Sequence, residues 1–144
     1  MKKLFLLPLL LIFAACESDE KIPLTNRYFK LAEIVALPAL QYDNDGSPPD
    51  LYVEIKRRSA SFWEFYTDVE INAGLPTYLV FPAEILATDE MYEIRIMDED
   101  PNEPADYEVF YWQFHAIDDG YDGGIDFEDP LTGNLVMVLN YNEK

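Results

Sequence analysis

Apolar and polar positions alternate along most of this chain with a period of two residues rather than 3.6. Leu51, Val53 and Ile55 interleave with Tyr52, Glu54 and Lys56. Successive strand side chains point to opposite faces, so this pattern predicts a half-buried strand. Trp63, Phe65, Thr67, Val69 and Ile71 alternate in the same way with Phe62, Glu64, Tyr66, Asp68 and Glu70, and Tyr92, Ile94 and Ile96 with Glu93 and Arg95. A mixed apolar run over 27–37 predicts the first strand, a short apolar run over 77–81 another, and 125–127 and 135–141 two more near the end. The aromatic run 107–115 is expected to cross the core, and 82–88 has room for one helical turn. Turn-rich segments separate these runs: 38–49, Asn72-Ala73-Gly74-Leu75-Pro76, 118–124 and Asp129-Pro130-Leu131-Thr132-Gly133. About eight short strands so punctuated predict an all-β fold, an antiparallel Greek-key β-sandwich.

The first residues follow a different rule. Lys2 and Lys3 precede an apolar run over 4–13, then Ala14-Ala15-Cys16. A bilayer span needs about 20 apolar residues, so the run suits a secretory leader instead. Small residues directly before a lone cysteine resemble the bacterial lipoprotein signal. That resemblance implies a signal peptide over 1–15 and a lipidated N-terminus at Cys16, so that a membrane is the first expected partner. Glu17-Ser18-Asp19-Glu20 resembles the acidic tract of Bacteroidetes-type surface lipoproteins; a plain solvated tether is the other reading. The expected organisation is a tether over 16–26 and one sandwich domain over 27–144. The expected location is the bacterial outer membrane, on its periplasmic face or at the cell surface.

Charge narrows the choice of partners. The net charge is −18, and loss of Lys2 and Lys3 with the leader would leave eight basic against 28 acidic residues, or −20. Such a surface repels nucleic acid, which is excluded as a partner, and attracts cations. Apolar residues make up 49% and aromatics 15% of the chain, enough for a packed core, so this is not a disordered acidic chain. Cys16 is the only cysteine, so no internal disulfide is available to the domain.

The carboxylates cluster in two turn segments next to strands. Asp43-Asn44-Asp45-Gly46-Ser47-Pro48-Pro49-Asp50 runs into the strand at Leu51, and the strand ending at Met97 runs into Asp98-Glu99-Asp100-Pro101-Asn102-Glu103-Pro104-Ala105-Asp106. Calcium takes about 6–8 oxygen ligands, often carboxylates on flexible loops. Without a metal, converging aspartates repel one another. These segments resemble the C2 domain, a calcium-binding β-sandwich found in protein kinase C and the synaptotagmins. Residues 43–53 resemble its first calcium loop, 71–78 resemble its Asn-Pro-x-Trp turn, and 92–100 resemble its strand ending in Asp-x-Asp. The resemblance implies Ca2+ as cofactor, held by Asp50, Asp98, Asp100 and Asp106, with Asp43 and Asp45 competing for one further role. Leu51 stands where the family has proline, and Tyr107-Glu108 where it has Ile-Gly.

Other chemistry is weaker. An EF-hand placed on Asp43 and Asp45 would need a glutamate at position 52, which is Tyr52. His115 is the only histidine, too few for a zinc site, and is expected to be a hydrogen-bonded strand residue. Lys56-Arg57-Arg58 reads as a solvated strand end. No catalytic residue is assigned. The two loops offer no Lys, Arg or large aromatic side chain to a bilayer, so docking onto anionic phospholipid is not expected. Two functions remain open: a non-enzymatic calcium-binding lipoprotein, or a metal-free sandwich that binds a protein or glycan partner in a surface complex.

Overall fold

The structure, a computed structural model, describes residues 25–38, 46–100 and 105–144. Eight strands follow one another: β1 (Arg27–Ile34), β2 (Leu51–Arg57), β3 (Phe65–Tyr66), β4 (Thr77–Leu86), β5 (Met91–Asp98), β6 (Tyr107–His115), β7 (Gly124–Glu128) and β8 (Leu135–Glu143). They form two four-stranded sheets, β4-β1-β8-β7 and β3-β2-β5-β6, with every named pairing antiparallel. The expected all-β sandwich is what forms. Cys16, Asp43 and Asp45 lie outside the described residues, as does most of the tether.

Alternation puts one face of each sheet inside. Leu51, Val53 and Ile55 of β2 meet Tyr92, Ile94 and Ile96 of β5, and all six are buried. Phe29, Ala32 and Ile34 of β1 face them from the other sheet with Met137 and Leu139 of β8. An aromatic cluster joins the layers: Phe29 meets Tyr92 and Phe114 edge-on at 5.9 and 5.7 Å, and Phe114 meets Phe127 at 5.4 Å. Such pairs add about 0.5–1.5 kcal/mol each beyond area burial. The buried Tyr92 hydroxyl stays satisfied, 2.8 Å from Thr88 Oγ1.

Two expectations are corrected and a third is refined. Residues 62–71 are not one strand: only Phe65 and Tyr66 pair with β2, and Glu70 rejoins it by a single bridge to Leu51. The ladder breaks where Val53 N–H donates to Thr67 Oγ1 at 3.0 Å instead of to a backbone carbonyl. Burial still alternates as far as Glu70 and fails at Ile71, which is 68% exposed. Trp63 lies over the outer face of the sheet, its ring 4.1 Å from the Arg95 guanidinium. Arg95 and Lys56 there pair with Glu54 and Glu93 on the neighbouring strands.

The segment 82–88 makes no helical turn; β4 continues through it to Leu86. Pro82 has no N–H to donate, but β4 is an edge strand and the pairing is irregular there. Leu31 pairs with Val80 and Phe29 with Ile85, so residues 81–84 bulge past Lys30. The same bulge switches the inward set of β1 from Arg27 and Phe29 to Ala32 and Ile34. Finally, 107–115 crosses the core as expected, with Phe110 and Phe114 in the core cluster, but does so from the edge of its sheet. It is edge strand β6, with Phe110 and Phe114 inward and Tyr107 and Tyr111 outward.

Candidate functional site

The antiparallel register of β2 and β5 determines which aspartates meet. Leu51 opposes Asp98, so the residue before β2 opposes the residue after β5. Glu99 N–H accordingly donates to Asp50 O at 2.8 Å, extending the ladder past both strand ends. Asp98 is 6% exposed, and its Oδ1 accepts the Asp50 N–H at 2.9 Å. The two segments that carry the aspartates are thus tied together at one end of one sheet.

A third segment joins them. Leu51 and Glu70 exchange backbone hydrogen bonds at 3.0 and 2.8 Å, which brings the following turn alongside. Asn72 has a positive φ of 54° and donates its N–H to Asp50 Oδ1 at 2.7 Å. Ala73 N–H donates to Pro49 O at 2.8 Å. Asp50 is held through its backbone N–H, its carbonyl and its carboxylate at once.

Asp106 enters from the start of β6. Its Oδ2 accepts the Tyr52 hydroxyl at 2.5 Å. Partial burial and this hydrogen bond push the Tyr52 phenol well above the usual tyrosine range, so it remains a donor. Asp100 lies two residues past Asp98 and is partly buried. Asp50 and Asp98 are therefore joined directly, whereas Asp106 is tied to β2 through Tyr52. A carboxylate has about four lone-pair sites, so accepting one N–H or O–H does not prevent it from also binding a cation. Among the described residues, no three His, Cys, Asp or Glu side chains form a group placed to hold a metal ion. The sequence marked Asn72 as part of a turn, but neither its bond to Asp50 nor that of Tyr52 to Asp106 was legible there. Tyr52 was legible only as an outward strand position, and the role of Asn72 is played by its backbone.

His115 is a hydrogen-bonded strand residue, and of the basic run only Arg57 and Arg58 are solvated, Lys56 being covered beside Glu93 and Trp63. Asp118 N–H donates to His115 Nδ1 at 3.2 Å, and His115 N–H donates to Asp119 Oδ2 at 2.6 Å. Arg57 pairs with Glu64 and Lys56 with Glu93, while Arg58 is exposed. Among the described residues no helix is long and apolar enough to cross a membrane.

No family model matches this chain, and no curated protein matches it. Among solved structures it is similar to human GIVD cytosolic phospholipase A2, with a TM-score of 0.54 and 17% identity. The alignment covers 83% of this chain and 17% of that one, so this chain spans a small part of that protein's length. At this identity the likeness establishes the fold alone.

Proposed function

We propose that this protein is a non-enzymatic, C2-like calcium-binding module, carried to the bacterial outer membrane by a lipid on Cys16. One observation carries the calcium reading. The two segments that resemble calcium loops meet at one end of one sheet, tied by Asp50 N–H to Asp98 Oδ1 at 2.9 Å. The Asn72 turn, which resembles a third family element, closes on Asp50 as well. Aspartate side chains are short, so a cation bound there stays close to backbone that is already fixed. Asp50, Asp98, Asp100 and Asp106, with Asp43 or Asp45, are the proposed ligands.

The test is thermal unfolding of the detergent-solubilised full chain across a calcium titration. A ligand at 100 times its dissociation constant stabilises by about 2.7 kcal/mol, and extracellular calcium modules bind at about 10⁻⁴–10⁻³ M. An unchanged melting curve at tens of millimolar calcium removes the reading.

The second reading is a metal-free sandwich that binds a protein or glycan partner. It is favoured by the absence of a three-carboxylate group among the described residues, and by the fact that Asp50, Asp98 and Asp106 each already accept a hydrogen bond. Mass spectrometry of the membrane fraction tests the lipid on Cys16 under either reading.

A further inference from the structure

A second site lies at the other end of β6. Edge strands β6 and β7 belong to different sheets and are not hydrogen-bonded to each other. A cleft of about 490 Å³ is lined by both. Its chemistry is set by Trp112, Phe114, Asp119, Tyr121, Asp126 and Phe127. Phe114 and Phe127 form the apolar floor, and Trp112 stacks on Phe110 at 5.9 Å with the two rings nearly parallel.

The turn beside the cleft is built, not loose. Tyr121 and Gly124 exchange backbone hydrogen bonds, and the two residues between them, Asp122 and Gly123, have φ of 52° and 87°. This is the Asp-Gly hairpin turn whose twist matches that of strands. Gly120 is required: its φ is 96°, and a Cβ there would lie 2.7 Å from Gly124 O and from Ile125 Cγ1. Asp119 is held at three points. Its N–H donates to His115 O, its Oδ2 accepts His115 N–H, and its carbonyl accepts Arg27 Nη1 at 2.6 Å. Tyr121 extends from this fixed frame with 89% of its surface exposed.

The lining selects the ligand. Among the described residues it offers aromatic faces and two carboxylates, and no Lys, Arg or His. Among those residues the side-chain donors are the indole N–H of Trp112 and the hydroxyl of Tyr121. A ligand rich in acceptors finds few partners there. A donor-rich cation finds ring faces for its charge and flat surface, and carboxylates for its N–H groups. The acidic surface of the whole chain adds attraction of the same sign.

We propose that the β6–β7 cleft binds an organic cation of the guanidinium or alkylammonium class, with Asp126 and Asp119 pairing its charge and Trp112 and Tyr121 covering its body. The site lies away from the aspartate loops. Those enter at Tyr107, and the cleft turn leaves after His115, about 26 Å further along the strand at 3.3 Å per residue. Its occupancy is independent of the calcium reading.

The test follows the Trp112 indole resonance of the ¹⁵N-labelled full chain in detergent during titration with N-acetylated arginine amide, agmatine, N-acetylated citrulline amide and methyl glucoside. The two cations should shift that resonance saturably, and the acetylated citrulline amide, which has nearly the same shape without the charge, should not. Asp126→Asn and Tyr121→Ala alter exposed side chains, and each should weaken binding of the acetylated arginine amide by about tenfold or more, the factor set by a loss of ~1.4 kcal/mol, with the melting curve unchanged. A stronger response to agmatine than to the acetylated arginine amide would mark a free amine as the source, and the reverse a residue within a peptide. Equal binding of the acetylated citrulline amide or of the glucoside, no saturable shift with either cation, unaltered affinity in both variants, or displacement of the cation by sub-millimolar calcium would each overturn the assignment.

Discussion

Replacing Asp98 separates structure from ligand binding at the aspartate end, because two substitutions remove different things. Asp98 is buried, and its Oδ1 takes the Asp50 N–H at 2.9 Å. Asp98→Ala leaves that N–H without its acceptor. An unsatisfied buried donor costs about 1–3 kcal/mol. Asp50 is only partly buried, so water entering the vacated space recovers some of this, and a loss of about 1–2 kcal/mol is expected. For a domain of this length that is a fall in melting temperature of about 3–10 °C. Asp98→Asn keeps an acceptor oxygen and the side-chain shape but removes the charge. Without calcium it should lose less than half as much as Asp98→Ala, since one negative charge also leaves a crowded acidic end. With calcium in excess the wild type should gain its stabilisation while both variants fail to, because a neutral amide oxygen is a far poorer ligand than a carboxylate. Calorimetric melting of the detergent-solubilised full chain, with chelator and with calcium, reads all six states. If the two variants fall equally in chelator, the acceptor role of Asp98 is wrong. If Asp98→Asn keeps the whole calcium increment, Asp98 is not a ligand.

Four further outcomes are expected. Arg27 is 9% exposed, donates to Ala116 O at 2.9 Å and to Asp119 O at 2.6 Å, and lies 3.9 Å over the Tyr141 ring; Arg27→Met should cost at least about 2 kcal/mol in urea unfolding by stranding those carbonyls, and a smaller loss would show that water replaces the guanidinium. Thr67→Val keeps the volume but removes the acceptor of the buried Val53 N–H, so it should destabilise by about 1–3 kcal/mol in the same assay; a neutral result would show that the break in the β2–β3 ladder has another cause. Hydrogen bonds from Thr132 Oγ1 and Leu131 N–H hold the Asp129 carboxyl below its ordinary range; its contribution is present above the unfolded-state pKa of about 3.9 and lost as pH falls through the folded value, so Asp129→Ala should flatten the stability–pH curve on that acid limb, and an unchanged slope would refute the linkage. Phosphatidylserine vesicles at physiological salt should not gain protein on addition of calcium, because the aspartate segments carry no Lys or Arg, each of which contributes about 1 kcal/mol at an anionic surface; calcium-dependent flotation of the Cys16→Ser chain would reverse this.

Period-two alternation made most strands legible because burial on one face leaves a direct mark on residue order. Where that mark failed, a local hydrogen bond or an edge position had changed the rule. Thr67 reads as an ordinary inward strand residue, yet its hydroxyl replaces a backbone acceptor and breaks the ladder. Pro82 reads as a strand end, but β4 is an edge strand, where a missing N–H costs no ladder bond, and the strand runs on. The aromatic content of 107–115 predicted a run across the core but not its place at a sheet edge. Hydrophobicity alone cannot separate a central strand from an edge strand that lines a cleft, and Trp112 serves the cleft.

The same limit governs the two sites. The aspartate end was legible because its residues lie in two contiguous segments, each abutting a strand, and antiparallel register does the rest. Once Leu51 opposes Asp98, Asp50 must lie beside Glu99. The β6–β7 cleft had no such signature. Its aromatic floor comes from alternating inward positions of two strands, its carboxylates from a turn and an edge, and its shape from Gly120 and the Asp122-Gly123 turn. Each of these reads alone as ordinary strand or turn chemistry. They become a site only because β6 ends one sheet and β7 ends the other, a relation that exists between sheets and leaves no period in the sequence. The Arg27 guanidinium then connects the cleft to the core, since one of its nitrogens holds both the buried Ala116 carbonyl and the carbonyl of Asp119. Loss of Arg27 should therefore weaken cation binding together with stability, whereas Asp126→Asn should weaken binding alone.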